Sequence, residues 1–192
     1  MNATLPGAWR LYARATAFVL AVLFAVGAAG HVVAHTLPWM LVLTPGFLLL
    51  TSVAVAVPSL AADGRRFALW AAGAYALTFA AEAVGVATGA VFGAYVYGPT
   101  LGWKLLGVPL IVAFNWVLVV NGAICLAGRI LPSRAGAHRR IALPLLAGAI
   151  SVAFDWIMEP VAIRLDYWTW AGGDIPLQNY AAWFVLAAAL AA

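Results

Sequence analysis

Long apolar runs separated by short polar stretches dominate this chain. They cover residues 11–30, 40–60, 67–88, 105–130 and 141–163, and a shorter run starts near Asn179 and reaches Ala192. A helix needs ~20 residues to cross the hydrocarbon of a bilayer. Inside lipid only a helix or a closed barrel satisfies its own backbone, and runs of this length read as helices. The pattern therefore predicts an all-α fold: a polytopic transmembrane helix bundle of about six spans, forming a single integral membrane domain over residues 1–192. The last run falls short of a full span. It is expected to be a partly inserted helix or the truncated end of a longer protein. Pro45, Pro58, Pro109 and Pro144 fall in or near the runs, where neighbouring helices resatisfy the freed carbonyls.

Composition supports the same solvent. The chain is 66% hydrophobic and 8% charged, with a mean hydropathy of +1.02. A soluble domain carries roughly a quarter charged residues. The net charge of +4 would suggest nucleic-acid binding in a soluble protein, but here the bases sit in short loops, so no nucleic-acid partner is expected. Arg10 and Arg14 precede the first run, Arg65 and Arg66 follow the second, and Arg129, Arg134, Arg139 and Arg140 follow the fourth; the alternate loops hold Lys104 and Arg164. By the positive-inside rule the N-terminus is cytoplasmic, and segments 31–39, 89–104 and 164–178 face the other side. The small residues at 27–30 resemble a signal-peptide cleavage site, but the further membrane runs favour a retained span. Cys125 lies in an apolar run and reads as a small core residue.

Of the six Asp and Glu residues, Asp63 and Asp174 lie in loops. Glu82 lies within the third run, Asp155 and Glu159 within the fifth, and Asp166 just beyond it. An ionisable group at membrane depth costs a few kcal/mol or more, which makes it a functional candidate. Glu82 is about two turns from the outer end of its helix, and Asp155 and Glu159 are at a comparable level. Asp155 and Glu159 are four apart, hence on one helix face. Three carboxyls gathered in one apolar place cannot all ionise, which leaves a proton donor beside a carboxylate base. The plainer alternative pairs the acids with Arg164 and Lys104 at the interface. That alternative suits Asp166 and Asp174 better than Glu82, which has no base nearby in sequence.

Gly85, Gly89 and Gly93 follow Glu82 at four-residue spacing. They suit a close helix contact, a flat groove for a rigid polyene, or both together. Aromatic residues gather on the outer side: Trp39, Tyr95, Tyr97, Trp103, Tyr167, Trp168, Trp170, Tyr180 and Trp183. An interfacial belt accounts for most of them, and a few are candidates to line a site and stabilise a cation. Asn115, Gln178 and Asn179 are candidates to place a water, although Asn115 and Asn121 also suit interhelical hydrogen bonding. His31 and His35 are too few for a metal site. There is no phosphate-binding loop and no pair of Asp-rich Mg²⁺ motifs, so no metal or other cofactor is expected.

Two blocks carry a family resemblance. The first runs Glu82-Ala-Val-Gly-Val-Ala-Thr-Gly-Ala-Val-Phe-Gly-Ala-Tyr-Val-Tyr97 and then Leu101-Gly-Trp-Lys-Leu-Leu-Gly-Val-Pro109. The second is Asp155-Trp-Ile-Met-Glu-Pro160, then Tyr167-Trp-Thr-Trp170, Ile175-Pro-Leu-Gln-Asn-Tyr180 and Trp183. Over residues 81–183 the chain resembles the carotenoid biosynthesis family of bisanhydrobacterioruberin hydratase and γ-carotene 1′-hydratase. The resemblance implies water addition to the terminal double bond of a linear ψ-end carotenoid, giving a tertiary alcohol without any cofactor. It points to Glu82 or Asp155 as the acid and Glu159 as the group that positions water. Gly85, Gly89, Tyr95, Tyr97, Asn115 and Trp116 are then expected to contact substrate, together with Trp156, Asp166, Trp170, Gln178 and Asn179. The expected setting is the cell membrane, with membrane lipid, the carotenoid and other pathway enzymes as partners. A membrane lycopene cyclase would use the same protonation. A small transporter or proton-conducting protein would also need intramembrane acids, but no inverted repeat is visible. A non-catalytic subunit holding other pathway enzymes is a further alternative.

Overall fold

The computed structural model describes residues 7–132 and 136–192; Arg134 of the basic loop lies outside them. The fold is all-α, with six α-helices among the described residues: α1 (Gly7–Val32), α2 (Leu37–Asp63), α3 (Arg65–Thr88), α4 (Leu110–Ile130), α5 (Gly136–Arg164) and α6 (Leu177–Ala191). Five of them are long and apolar enough to cross a membrane, and α6 is a shorter apolar helix. The expected count of six spans thus resolves into five full-length helices and a shorter sixth. Pro45, Pro58, Pro144 and Pro160 lie inside helices.

The fourth run is the one whose start moves. Residues 104–109 form a tight hairpin, β2 (Lys104–Leu105) against β3 (Val108–Pro109), instead of the first turn of α4. Its two-residue turn puts both Leu106 and Gly107 at positive φ, the twist that two-residue hairpins favour. Pro109 then precedes α4, where its missing N–H costs nothing.

The chain divides into two compact units, residues 1–68 and 69–192. In the first, α1 and α2 form an antiparallel pair. The Tyr12 hydroxyl donates to the Ala54 carbonyl at 2.9 Å, and Phe24 meets Phe47 edge to face. The turn between them is closed by Thr36, whose hydroxyl donates to the Gly30 carbonyl at 2.7 Å.

In the second unit, α5 packs against α4 and α6. One end of this packing is built from small residues. Ala123, Ala127 and Ala147 are buried together, flanked by Leu143, Leu146 and Ile150, and at Gly148 a Cβ would come within 2.9 Å of the Phe184 carbonyl. Small residues let helix backbones approach closely in lipid. At the opposite end α3 and α5 finish while α4 and α6 begin, and the interior fills with aromatic and polar side chains.

That end is closed by a two-stranded antiparallel sheet, β1 (Tyr95–Tyr97) paired with β4 (Trp168–Trp170). Tyr95 lies opposite Trp170, and Tyr97 opposite Trp168. The pairing depends on a close approach next to β1. The Gly98 N–H donates to the Tyr167 carbonyl at 2.9 Å, and a Cβ on Gly98 would sit 2.0 Å from the Asp166 carbonyl oxygen. Backbone cannot yield as a flexible side chain would, so Gly98→Ala is expected to cost about 1–3 kcal/mol, read as a lower unfolding midpoint in detergent.

Candidate active site

Strand geometry explains what the sheet presents. Side chains alternate across a strand, and directly opposed residues share a face. Tyr95, Tyr97, Trp168 and Trp170 therefore project from one face, while Val96 and Thr169 point the other way and are exposed. The aromatic face meets two glutamates.

Glu82 lies on the buried stripe of α3 with Ala74, Thr78 and Gly85. Its Oε2 accepts from the Tyr95 hydroxyl and from the Tyr97 hydroxyl at 2.7 Å, and its Oε1 accepts from the Trp116 indole at 2.8 Å. Burial, with the Glu82 carboxylate alongside, holds both phenols well above their ordinary range, so they remain donors. Trp116 is stacked on Trp183 of α6, with ring centroids 3.7 Å apart.

Glu159 and Asp155 share the buried stripe of α5 with Ala147 and Ser151, at a spacing of four. Glu159 Oε2 accepts from the Trp168 and Trp170 indoles, each at 3.0 Å. The Asn179 amide of α6 bridges the two acids, donating to Asp155 Oδ2 at 2.7 Å and Glu159 Oε1 at 3.3 Å. Glu82, Asp155 and Glu159 are 4%, 1% and 1% exposed. Glu82 and the Asp155–Glu159 pair are joined through contacting rings: Tyr95 lies tilted against Trp170 with centroids 5.1 Å apart, and Tyr97 meets Trp168 edge to face at 5.9 Å. Among the described residues no Lys, Arg or His forms an ion pair with these acids. The alternative pairing with Lys104 or Arg164 is thus not adopted, and Lys104 instead donates to the Tyr97 carbonyl at 2.6 Å.

Of the residues singled out from sequence, Glu82, Asp155, Glu159, Tyr95, Tyr97, Trp116, Trp170 and Asn179 come together here. Others do not. Trp156 is 66% exposed, because one residue past Asp155 turns the helix by about 100°. Asp166 is exposed at positive φ and its backbone packs on Gly98. Gln178 donates to the Gly89 and Ala90 carbonyls, closing the end of α3. The three glycines do not form one open stripe. The space beside Gly85 is filled by Phe92 and the Tyr95 hydroxyl, Gly89 ends the helix at positive φ, and Gly93 packs under Pro176. Asn115 is half-buried, and its amide oxygen is buried without a partner. Two contributors were folded into the interfacial belt by the sequence reading: Trp168, a direct donor to Glu159, and Trp183, the stacking partner of Trp116. The alternation Tyr-Val-Tyr and Trp-Thr-Trp was the available signal, since period two marks a strand with one common face.

A helical membrane protein with a buried, hydrogen-bonded set of acids is the class this fold and site define. The chain belongs to the carotenoid biosynthesis protein family, whose model matches residues 43–192. It is 31% identical over 180 residues to bisanhydrobacterioruberin hydratase of Haloarcula japonica, covering 88% of this chain and 60% of that protein. The match reaches well before residue 81, so the likeness extends beyond the two motif blocks. No solved structure matches this chain.

Trp116→Phe keeps a ring against Trp183 but leaves Glu82 Oε1 without its donor. It is expected to cost roughly 1.5–3 kcal/mol, the worth of a hydrogen bond to a charged group. A double-mutant cycle with Glu82→Gln in detergent unfolding should return a coupling of about 0.5–3 kcal/mol.

Proposed function

We propose that this protein, in the cell membrane, hydrates the terminal double bond of a linear carotenoid. The observation that carries the reading is the Asp155–Asn179–Glu159 arrangement: two buried acids one helical turn apart, bridged by one amide, beneath an aromatic cover. Family membership and the likeness to a hydratase support the carotenoid class of substrate.

Hydration of a trisubstituted alkene needs a proton donor, a shielded cation and one controlled water. Asp155 accepts a single amide hydrogen bond, whereas Glu82 and Glu159 each accept three. Asp155 is therefore the acid of the set. Its proton passes to the CH carbon of the terminal alkene, the π electrons form the new C–H bond, and the dimethyl-substituted carbon becomes a tertiary cation. A water oriented by Glu159 adds to that carbon and loses a proton to the carboxylates, which restores the acid. The product is the tertiary alcohol, and no electrons are exchanged with any cofactor. Trp and Tyr faces favour the cation, and the closed apolar surroundings keep other water away. Glu82 holds the Tyr95 and Tyr97 wall in place. Other pathway enzymes in the same membrane would supply the substrate.

The test is expression in a host that makes lycopene, with mass analysis of the pigments. The wild type should add one water, 18 Da, per end. Asp155→Asn should lower conversion by about 10²–10⁴-fold, the usual worth of a general acid, with the protein still in the membrane. A product of unchanged mass would mean cyclisation instead, and full activity of Asp155→Asn would remove the proposed acid.

A further inference from the structure

The hydratase reading needs one carboxyl of a close pair to keep a proton while its neighbour stays ionised. A feature of β4 bears on which one. Trp168 and Trp170 are two apart on a strand, so both indoles point the same way, and they converge on a single oxygen, Glu159 Oε2. An indole N–H donates and never accepts. An oxygen that receives two such donors has no place for a proton of its own. The remaining oxygen of Glu159 faces the Asn179 amide, which also serves Asp155.

We infer that Trp168 and Trp170 are positioning residues that hold Glu159 as the anion and thereby keep the shared proton on Asp155. This rests on the hydratase reading for its purpose but not for its measurement. Every titratable group near the pair fits the assignment. Asp155 shares the α5 face with Glu159, the Tyr180 phenol of α6 lies within electrostatic reach of both, and Glu82 of α3 lies within reach of Asp155. Tyr97 of β1 packs against Trp168 and Tyr95 against Trp170, both phenols committed to Glu82. Among the described residues no base faces Glu159 to hold its charge, so the indoles are what remains to do so. Their placement is enforced from outside the helix, by the pairing of β4 with β1 and by the close approach at Gly98.

The test is infrared spectroscopy of the full chain in detergent at neutral pH, without carotenoid, following the C=O stretch of protonated carboxyl groups. The wild type should show a band that Asp155→Asn removes and Glu159→Gln leaves. In Trp168→Phe, or Trp170→Phe if the first folds poorly, the loss of one donor should move the proton ratio between the two acids by roughly tenfold or more. Part of the band then becomes sensitive to Glu159→Gln. A wild-type band that vanishes with Glu159→Gln, the absence of any band sensitive to Asp155→Asn, or a tryptophan variant whose band keeps the wild-type assignment would overturn the inference. Loss of pigment hydration with the infrared assignments intact would sink the hydratase reading alone.

Discussion

A carboxylate away from water must be given hydrogen-bond donors by the protein, and the architecture of the second unit follows from that requirement. An unpaired buried charge costs far more than a neutral polar group, and among the described residues no cation pairs with these acids. The donors come instead from phenols, indoles and one amide. Two strands of three residues each deliver four of them, because alternation and antiparallel register place Tyr95, Tyr97, Trp168 and Trp170 on one face. The segments that carry β1 and β4 are distant in sequence, so the site exists only when they pair. Gly98, Gly93 and the Gln178 contact with the end of α3 all serve that pairing.

The helices below the sheet divide the labour along their length. Toward one end Ala123, Ala127, Ala147 and Gly148 bring α4, α5 and α6 into close contact. Toward the other end the same buried stripes carry Trp116, Asp155, Glu159, Asn179 and Trp183. Close packing at the small-residue end brings α4, α5 and α6 together, and these three helices carry Trp116, the Asp155–Glu159 pair and Asn179. The stacked Trp116 and Trp183 rings tie α4 to α6 at the level where the acids need support.

Helix existence was legible because lipid imposes a length and a composition on every span, and the runs at 11–30, 40–60, 67–88 and 141–163 lie inside α1, α2, α3 and α5. The start of α4 was not, because a six-residue hairpin such as 104–109 has the same apolar composition as a helix end and is decided by the φ > 0 turn at Leu106 and Gly107. The three acids were legible through the cost of burying charge. Their partners were only partly so. Aromatic residues near a membrane interface look alike by composition, and Trp168 differs from the exposed Trp103 only through the register of β4 against β1. Trp156 shows the converse: it belongs to the motif block that carries the family resemblance, but on a helix it points about 100° away from its neighbour Asp155.

The sheet above the acids is one layer thick. Val96 and Thr169 on its far side are exposed, so a single ply of backbone parts the carboxyls from the medium beyond the helix ends. The flanks of α5 instead offer Phe154 and Ile157 to their surroundings. The acids thus stand between two unlike borders, a thin ply of strands at the helix ends and the greasy sides of α5.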